Sequence, residues 1–252
     1  LRCALLALCC SSAAMAQSVS ITGGVPAVES FDSLANTGAT NTAVPTGWTF
    51  TENAIAGTYT ADDGNGTSGS VYSYGTTATT ERAFGTLRSN STDPIIGARL
   101  QNDSGTTLSD LLVSYVGEQW RLGVTARPDP LNFQYSLDAT SLTTGTWVNF
   151  DPLDLVSPNT TSAPGALNGN AAGNRVAIAA TISGGGFTLA PAATMWIRWL
   201  DSNLSGNDDG LAIDDFSVGL AVDNPPQLTG SNPSSGAGLV PVASNVVLLF
   251  SE

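Results

Sequence analysis

The chain alternates short apolar runs with clusters of Gly, Asn, Asp, Ser and Thr, and no segment sustains a helical period. Eleven apolar runs bounded by turn residues read as β-strands. Their short spacing favours an all-β, antiparallel two-sheet sandwich of the jelly-roll type, because a parallel sheet would need crossover helices. The predicted strands are Val28–Leu34, Gly57–Ala61, Val71–Tyr74, Ala83–Arg88, Ile96–Gln101, Asp110–Val116, Asn132–Leu137, Thr146–Phe150, Arg175–Thr181, Thr194–Asp201 and Leu211–Leu220.

The last of these strands, Leu211–Leu220, changes the phase of its apolar residues halfway along. The apolar residues before Asp214-Asp215 fall on one face of a regular strand, and those after it fall on the other. A β-bulge at the two aspartates would correct the phase, and it would turn one carboxylate towards the interior. A buried carboxylate needs a cation or several hydrogen-bond donors.

Residues 1–16 have the pattern of a secretory signal peptide. Arg2 supplies a basic start, an apolar stretch follows, and Ala14-Met15-Ala16 fits a cleavage site after Ala16. The apolar stretch is too short to span a bilayer. We therefore expect a secreted or cell-surface protein. All three cysteines lie in this segment, so the mature fold would need a large core or bound metal ions instead of disulfides.

Composition narrows the chemistry. The formal net charge is −13, only 12% of residues are charged, and the sequence holds no histidine and no lysine. Nucleic-acid binding is not expected from such an acidic chain. Nucleophilic catalysis lacks a base, and zinc lacks its usual ligands. Paired-carboxylate hydrolysis remains open only if Glu118 meets an aspartate of 208–215 in a cleft. We expect this chain not to be an enzyme.

Oxygen-rich clusters favour calcium, which takes six to eight oxygen ligands. The first cluster begins at Asp201-x-Asn203-x-Ser205-Gly206, which copies the start of an EF-hand loop. Position twelve is Ala212 instead of glutamate, and strands flank the loop, so it is not an EF-hand. The candidate structural calcium ligands here are Asp201, Asn203, Asp208 and Asp209.

The second candidate calcium site contains Asp214 and Asp215. The first and last strands of sandwiches often pair, which would bring Glu29 and Asp32 close to these two aspartates. An alternative interpretation needs no metal: Asp208 and Asp209 shape a turn, while Asp214 and Asp215 accept bonds from loop amides or Arg198. The sequence leaves both interpretations open.

Aromatic residues raise a further possibility, the binding of an extracellular glycan by ring stacking. Trp48, Trp120 and Trp147 are the candidate carbohydrate-binding residues. A Trp in a strand also serves core packing, and periodicity does not distinguish these roles.

The C-terminal part resembles the start of an SbsA-type bacterial Ig-like domain, a structural spacer of cell-surface and secreted proteins. The resemblance predicts a Pro-rich linker over 222–227 and the first strands of a truncated Ig-like domain over 228–252. The matching residues are Pro225-Pro226, Ser231-Asn232-Pro233, Gly236, Val240-Pro241-Val242, Asn245 and Phe250-Ser251-Glu252.

Residues 29–221, which follow an N-terminal linker over 17–28, resemble a jelly-roll module of secreted bacterial multidomain proteins. Their closing strand is similar to that of MAM and laminin-G-like sandwiches. The residues that carry the resemblance are Glu29–Leu34, Pro45–Trp48, Val116–Arg121, Leu167–Asn170, Trp196–Trp199 and Asn207–Val218.

Three functions are compatible with these observations. The first is a non-catalytic structural or adhesive module, stabilised by calcium. The second is a carbohydrate-binding module. The third is an N-terminal accessory region of a secreted nuclease or phosphatase whose catalytic domain is missing here. The chain begins with Leu and stops in an apolar run, so we expect a fragment of a multidomain protein.

Overall fold

The computed structural model describes residues 17–221, 228–234, 238 and 245–250. The chain divides into two compact units, Leu1–Leu220 and Ala221–Glu252. The predicted signal peptide, residues 1–16, and the predicted linker, residues 222–227, lie outside the described residues.

The first unit contains a seven-stranded sheet with the strand path β1-β7-β14-β9-β10. Strand β3 also pairs with β7, and β11 with β9. All these pairings are antiparallel except that of β1 with β7. The strands are β1 (Val19–Ile21), β3 (Trp48–Glu52), β7 (Pro94–Asn102), β9 (Pro130–Ser136), β10 (Val148–Asn149), β11 (Leu155–Val156) and β14 (Thr194–Asp201).

The second sheet has eight strands with the path β12-β8-β15-β6-β5-β4. Strand β13 also pairs with β8, and β2 with β15. The strands are β2 (Ala27–Glu29), β4 (Thr60–Asp62), β5 (Ser70–Tyr74), β6 (Ala83–Leu87), β8 (Asp110–Leu122), β12 (Gly165–Ala166), β13 (Arg175–Ser183) and β15 (Gly210–Gly219).

The core lies between the two sheets and is rich in aromatic rings. Trp199 is fully buried and stacks on Trp48 with 6.0 Å between ring centroids. Phe216 meets Trp48 edge to face at 5.0 Å, and Phe31 does so at 4.7 Å. Such contacts stabilise a sandwich beyond the burial of apolar area. A smaller cluster around Trp120, Tyr74 and Ala212 packs separately from this core.

The predicted all-β sandwich is confirmed. The helical segments of the described residues are two short 3-10 turns, Asp151–Leu153 and Ala172–Asn174. In the described part of the chain, no helix is long and apolar enough to cross a membrane.

Three predicted strands are shorter than expected, and of the run Gly57–Ala61 only Thr60 and Ala61 lie in β4. The run Val28–Leu34 stops pairing at Glu29, because Phe31 has a φ of 55° and accepts a turn hydrogen bond from the Leu34 amide. The run Thr146–Phe150 pairs only at Val148 and Asn149. Conversely, β3 was not predicted, although it pairs with β7 over its whole length.

The second unit contains a two-stranded antiparallel sheet of β16 (Leu228–Asn232) and β17 (Val247–Phe250). Its register shifts between Leu228 and Gly230. Most residues predicted to resemble an Ig-like domain lie outside the described part of the chain.

Candidate metal centre

Strand β15 contains the predicted bulge. Its register against β8 shifts between Asp214 and Ser217, so that Ile213 before the bulge and Phe216 after it are both buried in the core. Asp215 occupies the left-handed region with a φ of 47°. Asp214 is only 7% exposed, but it shares the strand face of Ala212 and not that of the core residue Ile213, so it is buried on the outer face of this sheet.

Two glutamates lie close to Asp214. Glu118 lies in β8 opposite Ala212, and Glu81 precedes the buried Arg82, two residues before β6 begins at Ala83. One carboxylate oxygen from each of Glu81, Glu118 and Asp214 lies within 4.8 Å of the other two. We call these three residues the carboxylate cluster.

The chain folds over the carboxylate cluster. Trp120 is 1% exposed, and its indole nitrogen donates to Glu118 Oε2 at 2.8 Å. The segment before β13 covers this ring, because a Cβ at Gly169 would lie 2.3 Å from the indole nitrogen. From the same segment, Asn170 Nδ2 donates to Glu81 Oε2.

Each carboxylate of the cluster keeps an oxygen that receives no described hydrogen bond. Glu118 is fully buried, and its Oε1 has no partner in the described residues. Glu81 Oε1 is likewise buried and unpartnered. Asp214 Oδ1 accepts the Asp215 amide at 2.7 Å. A buried carboxylate oxygen without a donor is costly, so the cluster lacks part of its electrostatic compensation.

The electrostatics follow from this crowding. Burial, together with the negative charges of Glu118, Asp215 and Glu81, raises the pKa of Asp214 to about 8. The pKa of Glu118 is raised to about 7, mainly by burial, and Arg175, opposite it in the β13 register, opposes this rise. Among the described residues, no ion pair joins a cluster carboxylate to an arginine.

The cluster geometry suits a divalent cation. Calcium binds oxygens at about 2.3–2.6 Å, so oxygens on opposite sides of one ion lie up to about 5 Å apart. The separations of at most 4.8 Å fall within this span. The three carboxylates are hard oxygen ligands, as calcium prefers, and an ion between them would compensate the unpartnered oxygens.

The predicted EF-hand-like loop is organised by an arginine instead. Arg127 Nε and Nη2 donate to the two carboxylate oxygens of Asp129 at 2.8 Å each, and Nη2 lies 3.6 Å from Asp208 Oδ1. The same guanidinium donates to the carbonyl oxygens of Ser205 and Asn207. These are the kinds of oxygen that a calcium loop would offer, so Arg127 already supplies the positive charge.

The other predicted calcium ligands of this loop form hydrogen bonds with other parts of the protein. Asp209 is fully buried and accepts bonds from Gly123, Ser157 and Gln119. Asn203 is exposed and donates to Asn90. The described bonds of Asp201, Asn203, Asp208 and Asp209 lead to separate protein partners, and one calcium site formed by all four stays a prediction.

Asp201 is a buried carboxylate with one hydrogen-bonded oxygen and one oxygen without a described partner. It is 3% exposed, its Oδ2 accepts from Thr86 Oγ1 at 2.9 Å, and its Oδ1 has no described partner. Burial raises its pKa well above the ordinary value, and Asp208 and Asp129 add to this effect.

The predicted pairing of the first and last strands places Glu29 opposite Phe216 in the β2–β15 register. Glu29 Oε1 accepts the Phe31 amide at 2.9 Å, and Asp32 Oδ1 accepts the Arg82 amide at 3.3 Å. Neither residue belongs to the carboxylate cluster. Asp215 is exposed. Of the second predicted ligand set, Asp214 alone lies in the cluster.

Two of the three tryptophans predicted to bind carbohydrate are buried. Trp48 is 5% exposed and Trp120 is 1% exposed, so neither presents a ring face for a sugar. Trp147 is half-buried, and the Arg198 guanidinium lies 3.8 Å from its ring centre. Arg198 also donates to Gln134 Oε1, so it does not bond to Asp214 or Asp215 as the metal-free interpretation proposed.

A polar cavity of about 670 Å³ lies at the first sheet, and Gln134, which accepts hydrogen bonds from Arg198, is part of its lining. Side chains that alternate with buried Leu131 and Phe133 point into it, and Gln134 Nε2 donates to Asn149 Oδ1 at 2.6 Å. The cavity is lined by Arg88, Asp93, Asn132, Phe133, Gln134, Asn149, Asp151, Asp154, Leu200, Asp201, Ser202, Asn203 and Leu204.

Sequence reasoning did not assign Glu81 and Glu118 to a metal site. Glu118 was considered only for paired-carboxylate chemistry, although a signal for its contact with Trp120 existed. Glu118 and Trp120 share a strand face, and a carboxylate two residues from a Trp can accept its indole proton. Nothing local marks Glu81, because its position depends on the pairing of β6 with β15.

No protein-family model matches this chain. No curated protein matches it either. Among solved structures, the chain is similar to the K2 cleaved adhesin domain of Lys-gingipain, with 17% identity over 79% of this chain and 100% of that one, at a TM-score of 0.41. It is similar to the K3 cleaved adhesin domain of Lys-gingipain from Porphyromonas gingivalis W83, with 12% identity over 69% and 91% of the two chains and a TM-score of 0.42.

A third similarity is to the enzymatically active domain of bacteriophage CBA120 tailspike protein 4. The identity is 11% over 69% of this chain, with a TM-score of 0.37, and the chain spans 19% of the tailspike structure's length. These similarities are too distant to assign a function.

Proposed function

We propose that the chain is a non-catalytic structural or adhesive module of a secreted or surface-displayed protein, and that one calcium ion bound by Glu81, Glu118 and Asp214 stabilises its sandwich. The observation that carries the metal site is the fully buried Glu118, which belongs to the carboxylate cluster and whose Oε1 has no hydrogen-bond donor among the described residues.

Calcium at this place would link distant parts of the chain. Its ligands come from β8, from β15 and from Glu81, two residues before β6, and these three strands are neighbours in one sheet. Without cysteines after residue 10, the domain has no disulfide for this purpose. A ligand that binds only the folded state stabilises it by mass action, by about 2.7 kcal/mol at a hundredfold excess over Kd.

A catalytic role for the same carboxylates is disfavoured by access. Glu118 and Asp214 do come together, as paired-carboxylate chemistry requires, but they are 0% and 7% exposed. A polymeric substrate cannot reach groups covered by Trp120 and the segment around Gly169. The chain also contains no histidine or lysine to act as a base.

The test is thermal unfolding of the full chain with millimolar calcium and with chelator. We expect a higher Tm with calcium. Glu118→Gln should lose this increment, although it retains an acceptor for the Trp120 indole. The exposed Asp110→Asn, at the other end of β8, is the matched control and should keep it. Equal Tm values with calcium and chelator in the parent protein would refute the metal site.

A second candidate function is the binding of a neutral oligosaccharide in the cavity around Gln134. Amides and carboxylates bond well to sugar hydroxyls, and the half-buried Trp147 lies beside the same Arg198–Gln134 pair. Four aspartates line the cavity and would repel acidic sugars: Asp93, Asp151, Asp154 and Asp201.

Glycan-array binding followed by calorimetry tests this candidate. We expect binding of a neutral glycan that Asn149→Ala weakens, while Asn65→Ala, at an exposed turn of the other sheet, leaves it unchanged. Absence of binding to any neutral glycan, or equal loss in both variants, would argue against it.

A further inference from the structure

Strand β13 is a long edge strand. It spans nine residues and pairs with β8 from Arg175↔Glu118 to Ser183↔Asp110 without a register shift. In the described part of the chain, β8 is the one strand with which it pairs. The other strands at sheet edges are shorter, with two to five residues in β1, β3, β4, β10, β11 and β12. The opposite side of β13 therefore offers a row of backbone donors and acceptors.

The residues of β13 lack the features that commonly prevent edge pairing. Its sequence, RVAIAATIS, has no proline and no lysine, and its single charge is Arg175 at the first position. Val176 is 38% exposed, and Ile178 and Ala180 are only partly buried against the core. The side chains of Val176, Ile178, Ala180 and Ile182 share the face of β13 that points inward, and the core covers the middle of this row only in part.

We propose that β13 pairs antiparallel with β13 of a second copy of this chain, about a two-fold axis through Ala179. The register follows from the strand itself. Ala179 then lies opposite its symmetry mate, Val176 opposite the partner's Ile182, and Ile178 opposite the partner's Ala180. Apolar and β-branched residues thus meet on the inward face, where cross-strand pairs stabilise a sheet.

The outward face is compatible with the same register. Ala177 lies opposite the partner's Thr181, so only small side chains meet near the axis. The partner's Arg175 lies opposite Ser183, which in turn pairs with Asp110 on β8. These three residues share one face, and neighbouring strands are about 4.8 Å apart, so the long arginine side chain can reach over the serine to Asp110. The dimer is thus charge-complementary at both ends of the paired strands.

The continuous sheet would join two sandwiches edge to edge. A one-residue slip would turn the inward row of one copy towards solvent, so the two-fold register is the one that the apolar pattern favours. A second copy also has symmetry in its favour, since two-fold interfaces use one surface twice.

Sedimentation equilibrium of the full chain over a concentration series tests the proposal. We expect a reversible monomer–dimer equilibrium. Ala179→Lys places two lysines opposite each other on the axis and should weaken dimerisation at least about fivefold, the equivalent of roughly 1 kcal/mol. Val148→Lys also replaces an apolar residue by lysine at an exposed strand position, but in β10. It is the matched control and should leave the dimer unchanged.

Asp110→Arg gives a second, independent variant, because it opposes the partner's Arg175 at an exposed position. We expect a weaker dimer that recovers as salt screens the repulsion. A chain that stays monomeric at the highest concentrations would overturn the proposal. So would a dimer that Ala179→Lys and Val148→Lys weaken equally.

Discussion

Two acidic regions of the sandwich differ in how the charge of their buried carboxylates is compensated. In the loop after β14, the Arg127 guanidinium bonds Asp129 and the loop carbonyls. In the carboxylate cluster, Glu118 and Asp214 are buried as deeply, but no described arginine forms an ion pair with them. The comparison shows that aspartate density alone does not indicate a metal site. What matters is whether the fold already provides a cation.

The largest effect on stability is expected from removing Arg127 from the loop after β14. Arg127→Met removes the cation and leaves the buried Asp129 carboxylate with an uncompensated charge, since its side chain is 1% exposed. Losing one partner of a buried pair costs about 3 kcal/mol or more. Urea unfolding should show this loss equally with calcium and with chelator, because the loop binds no calcium in this account. A loss that calcium restores would show that the loop is itself a calcium site.

The second prediction concerns the pH dependence of the carboxylate cluster. The pKa values of about 7 for Glu118 and about 8 for Asp214 lie above the ordinary 4.5 and 3.8. The folded, chelated protein therefore holds protons that the unfolded chain releases, and its stability falls as pH rises from 5 to 8. Calcium requires the ionised carboxylates, so the stabilisation by calcium should grow over the same range.

Denaturant titrations at pH 5 and pH 8, with calcium or chelator, measure this difference. Burial also raises the pKa of Asp209 to about 6, so part of the decline belongs to the loop. Glu118→Gln separates the two contributions, because it should flatten the decline only in part and abolish the calcium effect. A calcium effect that is the same at both pH values would contradict the assignment.

The smallest expected effect comes from the bulge beside the cluster. Asp215 has a φ of 47°, where a residue with a Cβ is strained and glycine is not. Asp215→Gly should stabilise the chelated protein by up to about 1 kcal/mol, through relief of this strain and of repulsion with Asp214. Asp215→Asn keeps most of the strain and removes the charge, so it should give only the electrostatic part. A destabilised Asp215→Gly would show that the side chain at this position is needed for the bulge.

The sequence allowed the sandwich and the bulge to be predicted because both depend on local patterns. The phase change around Asp214-Asp215 is visible in the ten residues Leu211–Leu220, and the structure shows a register shift there. Strand β3 was missed, although Trp48-Thr49-Phe50-Thr51 alternates strictly between apolar and polar residues. The other two carboxylates of the cluster were missed because Glu81 and Glu118 lie 37 residues apart along the chain and meet Asp214 only through the pairing of the strands.

The tryptophans illustrate the same limit. Alternation places Trp120 on a strand face, but only the packing of the segment around Gly169 decides that this face is covered. The EF-hand-like loop shows the same dependence, because Arg127 comes from a distant part of the chain and donates to the carbonyl oxygens of Ser205 and Asn207. Contacts between residues far apart in sequence decide which of several locally plausible sites exists.

Calorimetric titration of chelator-treated protein with calcium at pH 8 tests the carboxylate cluster most directly. We predict one calcium ion per chain, with binding abolished in Glu118→Gln and retained in Arg127→Met. Absence of binding in the parent protein, or undiminished binding in Glu118→Gln, would contradict the account.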